Sequence, residues 1–205
     1  KGVEGWFARM NAYAAERGLN LLHYVNSSGL KEIIEGTSIA GEFKHIYACS
    51  FLYNVDGIAY WPAVAVNYTN KTQFIFKINK GVESVFDTKD VNRFMEESKR
   101  PVPFSRMIYF GDGETDVPCM RTIKANGGHS FAVYGNDKKR QLAQQLLSEG
   151  RVNFACAADY TTNGEMMVIV KRILDKVKAD YTLSQHEVEN RDTLNMFTGL
   201  GDSLE

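Results

Sequence analysis

Two aspartates four residues apart, Asp112 and Asp116, follow the apolar run "RMIYF" (106–110) in the segment "RMIYFGDGETDVPCM". Gly111 and Gly113 allow a sharp turn at the end of a strand, which aims Asp112 outward and brings Asp116 back beside it as the next helix starts. Two like charges in one small space cost free energy unless a cation neutralises them, and an oxygen-only site with open water positions suits Mg2+. The same spacing has a purely structural reading. Asp116 is then an acidic residue favoured by a helix dipole, and Asp112-Gly113 is a turn.

Two other segments carry groups that complement such a site. In "HYVNSSGLKEIIEG", Ser27 lies between the strand-like run 19–25 and the helical spacing of Leu30, Ile33 and Ile34. Its hydroxyl can donate to a phosphate oxygen, with Ser28, Gly29 and the free amides of the following helix completing an anion-binding turn. A plain helix cap is the alternative. Lys71 opens the helical pattern of Phe74, Ile75 and Ile78, where a cation opposes the helix dipole unless an anion or carboxylate is close by. A solvated surface lysine is its alternative.

The elements that must position these residues alternate along the chain. Strand-like and helical runs follow one another from residue 3 to 177, and parallel strands need long crossovers of the helical kind. The expected fold is α/β: a mostly parallel sheet of at least four parallel strands with helices on both faces, plus a β-hairpin excursion over 45–66 around Asp56-Gly57. Residues 1–178 form one core domain, and the polar tail 179–205 reads as a short helix or a partly disordered segment. Ligands of open α/β sheets bind beyond the carboxyl ends of the strands, so the loops 26–29, 111–116 and 158–161 should meet at one place. Tyr53, Tyr60 and Trp61 of the hairpin either line the mouth of that place or pack in the core.

Composition excludes several classes. With 205 residues, 44% of them hydrophobic, and a net charge of -1, the chain can build an ordinary core but has no basic stripe for nucleic acid or anionic lipid. No apolar run reaches the roughly 20 residues of a spanning helix, and no secretory pattern opens the chain, so neither nucleic acid nor membrane is an expected partner and the expected location is cytoplasmic. Cys49, Cys119 and Cys156 lack CxxC spacing and the four histidines are scattered, which argues against disulfides and a zinc cluster. The cysteines are expected to be reduced and mostly packed. The chain begins at Lys1 directly in a helical pattern, as a piece of a longer protein would.

Taken in order, a hydroxyl after one strand, a lysine at a helix start and Gly-Asp-Gly-x-x-Asp after a later strand resemble the second, third and fourth motifs of the haloacid dehalogenase (HAD) superfamily. The likeness is to its phosphoserine-phosphatase-like branch and covers about residues 3–177. It implies a three-layer Rossmann-like core and a Mg2+-dependent phosphatase acting on a small phosphorylated substrate through an aspartyl-phosphate. Under that resemblance Ser27 binds the transferring phosphoryl group, Lys71 neutralises phosphate and nucleophile, Asp112 is the direct metal ligand, and Asp116 orients a metal-bound water or the lysine. The family's first motif, Asp-x-Asp-x-Thr/Val, is absent. The resemblance therefore implies a nucleophile outside this chain, no turnover by the chain alone, and a vacancy between the strands bearing Ser27 and Gly111, to be filled by an associated N-terminal fragment or a second chain. The alternative is a catalytically silent phosphate- or metal-binding module that acts through a partner.

Overall fold

The computed structural model describes residues 1–199 in backbone and 1–193 in side chain. The chain is α/β and contains two three-stranded sheets, one mixed and one parallel. Helix α1 (Trp6–Ala15) leads into β1 (Tyr24–Leu30), α2 (Lys31–Glu35), β2 (His45–Tyr53) and β3 (Ala59–Val64). Then come α3 (Lys71–Lys80), the short α4 (Lys89–Asn92), β4 (Ile108–Gly111), α5 (Val117–Ala125), β5 (His129–Tyr134), α6 (Asp137–Ser148), β6 (Phe154–Ala157) and α7 (Glu165–Gly199). β1 and β2 are parallel while β3 returns antiparallel, and β4, β5 and β6 are all parallel.

Side chains in the parallel sheet divide with the period of two that a pleated strand imposes. Phe131 and Val133 of β5 join Trp6, Phe7 and Met10 of α1 and Met166, Met167 and Val170 of α7 in one core cluster. Ala132, between them, faces Val117 and Met120 of α5 and Ala143 and Leu146 of α6 in another. α3 rides over both sheets: Phe74 packs with Tyr47 of β2, and Ile75 with Cys119 and Ile123 of α5. Gly81 ends α3 in the left-handed region at φ 69°, where glycine avoids a Cβ penalty.

Four sequence expectations need correction. The expected single sheet with at least four parallel strands is two sheets, because among the described residues no strand pairs with the outer edge of β1 or of β4. The 26–29 segment is not a loop after a strand: it lies within β1, in the irregular stretch between the pairs Asn26/Tyr47 and Leu30/Cys49. Residues 179–199 are not a short separate helix, since α7 continues through Gly199; the rest of the expected tail, 200–205, lies outside the described residues. Tyr53, Tyr60 and Trp61 neither line a site nor pack, with 48%, 62% and 63% of their surface exposed on the β2–β3 hairpin. The hairpin itself is present as expected, turning at Asn54, whose side chain accepts the amides of Asp56 and Ile58.

Candidate functional site

A cavity of about 490 Å³ opens at the carboxyl ends of β4, β5 and β6 and beside the middle of β1. Asn26, Ser27, Lys71, Gly111, Asp112 and Asp116 line it together with Gly135, Asn136, Lys139, Ala158 and Tyr160. It lies where the two sheets part. Residues from all three segments singled out in the sequence reach it: 111–116 and 158–161 from beyond the ends of β4 and β6, and Asn26 and Ser27 from within β1.

The cavity floor is an ion pair. Lys71 Nζ donates to Asp116 Oδ1 at 2.5 Å, with only 6% and 8% of the two side chains exposed. Tyr109 of β4 donates its hydroxyl to the same oxygen at 2.7 Å, and the Asp112 amide donates to Asp116 Oδ2 at 3.3 Å. Burial and the adjoining Asp116 charge raise the Tyr109 pKa, so the phenol remains a donor. This backing explains Gly111: a Cβ there would stand 2.5 Å from the Cβ of Asp116, closer than real atoms come. The glycine therefore permits close approach of the carboxylate as well as a turn.

Asn26 donates to the carbonyl of Lys71 at 3.0 Å and so ties β1 to the start of α3. Its Oδ1 is buried with no hydrogen-bond partner, an orphan acceptor where β1 lacks a neighbouring strand. Ser27 Oγ accepts the Gly29 amide at 3.0 Å, which leaves the hydroxyl hydrogen free to donate outward. Ser28 and Gly29 are exposed and do not line the cavity. Cys119 lies beside the site at 3.9 Å from Asn26 Nδ2, and burial pushes its thiol up to about 11. It is a neutral packing group at neutral pH, as the sequence suggested for the cysteines.

The two aspartates differ in what they can hold. Both oxygens of Asp116 are engaged, so it fits the role of lysine partner and not that of direct metal ligand. Asp112 has 65% of its side chain exposed and pairs with Lys139 of α6. Among the described residues no group of three or more His, Cys, Asp and Glu could hold a metal ion. Mg2+ commonly takes one or two carboxylates, several waters and substrate phosphate oxygens, so Asp112 fits as one ligand of a set that the described residues do not complete.

Sequence reasoning passed over Tyr109 and Lys139, and placed Asn26 and Tyr160 in the converging segments without giving either a role. One signal was available for Lys139: it sits in the first turn of α6, the same unfavourable placement for a cation that singled out Lys71. Tyr160 reaches the cavity by stacking edge-on against Trp6, with ring centroids 5.4 Å apart. Its pKa is raised by burial and then by the Asp112 charge. Asp159 of the same loop faces away, accepting from the amide and hydroxyl of Thr161.

The chain is similar to a protein of Borreliella burgdorferi described as uncharacterized, with 31% identity over 156 residues that cover 67% of this chain and 52% of that protein. It thus spans about half the length of that relative. No protein-family model and no solved structure matches the chain.

Proposed function

We propose that the chain is the phosphate-binding part of a Mg2+-dependent phosphatase with a three-layer Rossmann-like core of the HAD kind, acting on small phosphomonoesters through an aspartyl-phosphate whose aspartate lies outside this chain. One observation carries the reading: the buried Lys71–Asp116 pair stands with Ser27 and Asp112 in a single cavity at the parting of the two sheets. Lys71 has three N–H donors, and Asp116 occupies one. The others serve a phosphoryl oxygen and an attacking carboxylate. Asp116 and Tyr109 hold the ammonium in place, so its charge is preorganised for the transition state. Ser27 donates to a second phosphoryl oxygen. Mg2+, bound through Asp112, supplies further neutralisation of phosphoryl charge.

The unpaired edges of β1 and β4 support the remainder. Both strands run toward the cavity, α3 packs over the region between them, and Asn26 leaves a buried acceptor unmet there. A strand from an associated N-terminal fragment or a second chain would satisfy those edges and deliver the missing carboxylate to the cavity. In a longer polypeptide that includes this chain and such a strand, hydrolysis of an aryl phosphate is expected to require Mg2+. Asp112→Asn is expected to remove most of it while leaving the circular-dichroism spectrum unchanged. Wild-type activity in that variant would overturn the assignment.

A second reading is favoured by the cavity's own inventory. Asp112 and Asp116 are the only carboxylates lining it among the described residues, and both are ion-paired. On that reading the chain is a catalytically silent phosphate- or metal-binding module acting through a partner. Phosphate binding without turnover in the longer polypeptide would select it.

A further inference from the structure

The cavity has two chemically distinct sides, and the phosphoryl-transfer scheme above uses only one. Consecutive residues of β4 point to opposite faces of its sheet. Tyr109 turns toward α3 and α5, where it packs with Ile75 and Cys119 and backs Asp116. Phe110 turns toward α1: its ring stacks on Phe131 at 4.9 Å and meets Trp6 edge-on at 6.3 Å. Tyr160 meets the same indole edge-on at 5.4 Å, and Val133 and Ala158 belong to the same packed cluster while lining the cavity. One side therefore presents Ser27, Lys71 and Asp116, and the other presents Phe110, Val133, Ala158 and Tyr160.

We propose that the cavity takes an aryl phosphomonoester, with the phosphoryl group on the Ser27 and Lys71 side and the ring of the leaving group against Phe110 and Tyr160. The inference names the substrate class and rests on the phosphate-binding reading of Ser27 and Lys71. The aromatic wall is built in advance of any ligand. Trp6, only 5% exposed, anchors both rings, whereas Phe110 keeps 36% of its surface open. The Tyr160 backbone is fixed independently of its ring, because its amide donates to the Lys1 carbonyl at 2.9 Å and Arg9 donates to its carbonyl at 2.7 Å. Apolar ring surface beside a few fixed polar groups is the usual make-up of a small-molecule site, and a volume of about 490 Å³ suits one. A ligand ring on this wall gains apolar burial and an aromatic contact that a short alkyl group cannot make. Phe110 and Tyr160 thus determine specificity, while Ser27 and Lys71 hold the group common to every phosphomonoester.

The test titrates the 205-residue chain with phenyl phosphate, methyl phosphate and inorganic phosphate, followed through its N–H resonances, in wild type, Tyr160→Leu and Tyr160→Phe. Wild type is expected to bind phenyl phosphate about fivefold more tightly than methyl phosphate, the equivalent of ~1 kcal/mol for one aromatic contact. Phenyl phosphate alone should also impose ring-current shifts on the Trp6 indole N–H and the Tyr160 amide, a readout that needs no variant. Tyr160→Leu should bring the ratio below twofold, chiefly by weakening phenyl phosphate, and Tyr160→Phe should keep it because the ring remains. Equal wild-type affinities for the two esters, absence of the ring-current shifts, a leucine variant that keeps the fivefold ratio or a phenylalanine variant that loses it each overturns the proposal. In those cases binding of methyl and inorganic phosphate leaves the phosphate site standing. If none of the three ligands binds, the proposal falls with the phosphate reading of Ser27 and Lys71, and the failure lies there.

Discussion

At the scale of single residues, the most deeply buried ion pair among the described residues is Lys71–Asp116. Breaking a buried pair from one side strands the other charge in a poorly solvating environment, which typically costs about 3–5 kcal/mol. Lys71→Met should therefore lower the urea midpoint substantially. The double change Lys71→Met with Asp116→Leu should recover part of the loss, since it leaves no lone buried charge. A single variant as stable as wild type would mean that Asp116 reaches water. Tyr109→Phe tests the same carboxylate more gently, because it removes one of three donors and little volume. A loss near 1 kcal/mol is expected from the usual net value of a hydrogen bond.

At the scale of elements, the two sheets are unequally protected. β5 is hydrogen-bonded on both sides, whereas β1 and β4 each pair on one side only. Both faces of the parallel sheet are well packed: β5 contributes Phe131 with no exposed surface to one, and α5 contributes Met120 likewise to the other. Hydrogen exchange should then be slowest in Phe131, Ala132 and Val133 and distinctly faster in Val25, Asn26 and Phe110. Protection of β1 and β4 equal to that of β5 would show that their outer edges are already paired, by self-association or rearrangement. The β2–β3 hairpin belongs with the weakly held elements, because its outer residues Val55, Ile58, Tyr60 and Trp61 are exposed.

Acidity acts on the molecule as a whole. Burial lowers the pKa of His23, His45 and His129 in the folded chain, with the Lys31 and Lys44 charges adding at His45 and Lys176 at His129. The unfolded chain therefore binds protons first as pH falls below the ordinary imidazole value of 6.5, and stability declines until the folded-state values are passed. Asp175, held low by the Arg17 guanidinium, and Asp87, held low by backbone amides, extend the decline into the carboxylate range. The melting temperature is expected to be lower at pH 5.5 than at pH 7.5, and an unchanged or higher value at pH 5.5 would contradict burial of these imidazoles. The chain alone should also show no phosphatase turnover, because each carboxylate that lines its cavity is already committed to a lysine.

Much of this was legible in the sequence because it is local. The helices around Phe74, Met120 and Leu146 announce themselves through apolar spacing, β5 through a continuous apolar run, and the α3 stop through Gly81. The Asp-Gly turn and the acidic residues before α5 are likewise properties of a few consecutive residues. Tertiary structure alone decided which charges meet. Lys71 and Asp116 are 45 residues apart, as are Asn26 and the Lys71 carbonyl, and no spacing rule states that Asp112, which the glycine turn aims outward, meets Lys139. The parting of the sheets was expected only through the family resemblance and its missing first motif, and local reading could not supply it, since strand pairing is long-range and each strand looks the same in sequence whether one or both of its edges are satisfied. Short-range sterics and hydrophobic period determine the elements, whereas the partner of a buried charge is fixed only when packing withdraws it from water and leaves one oppositely charged group within reach.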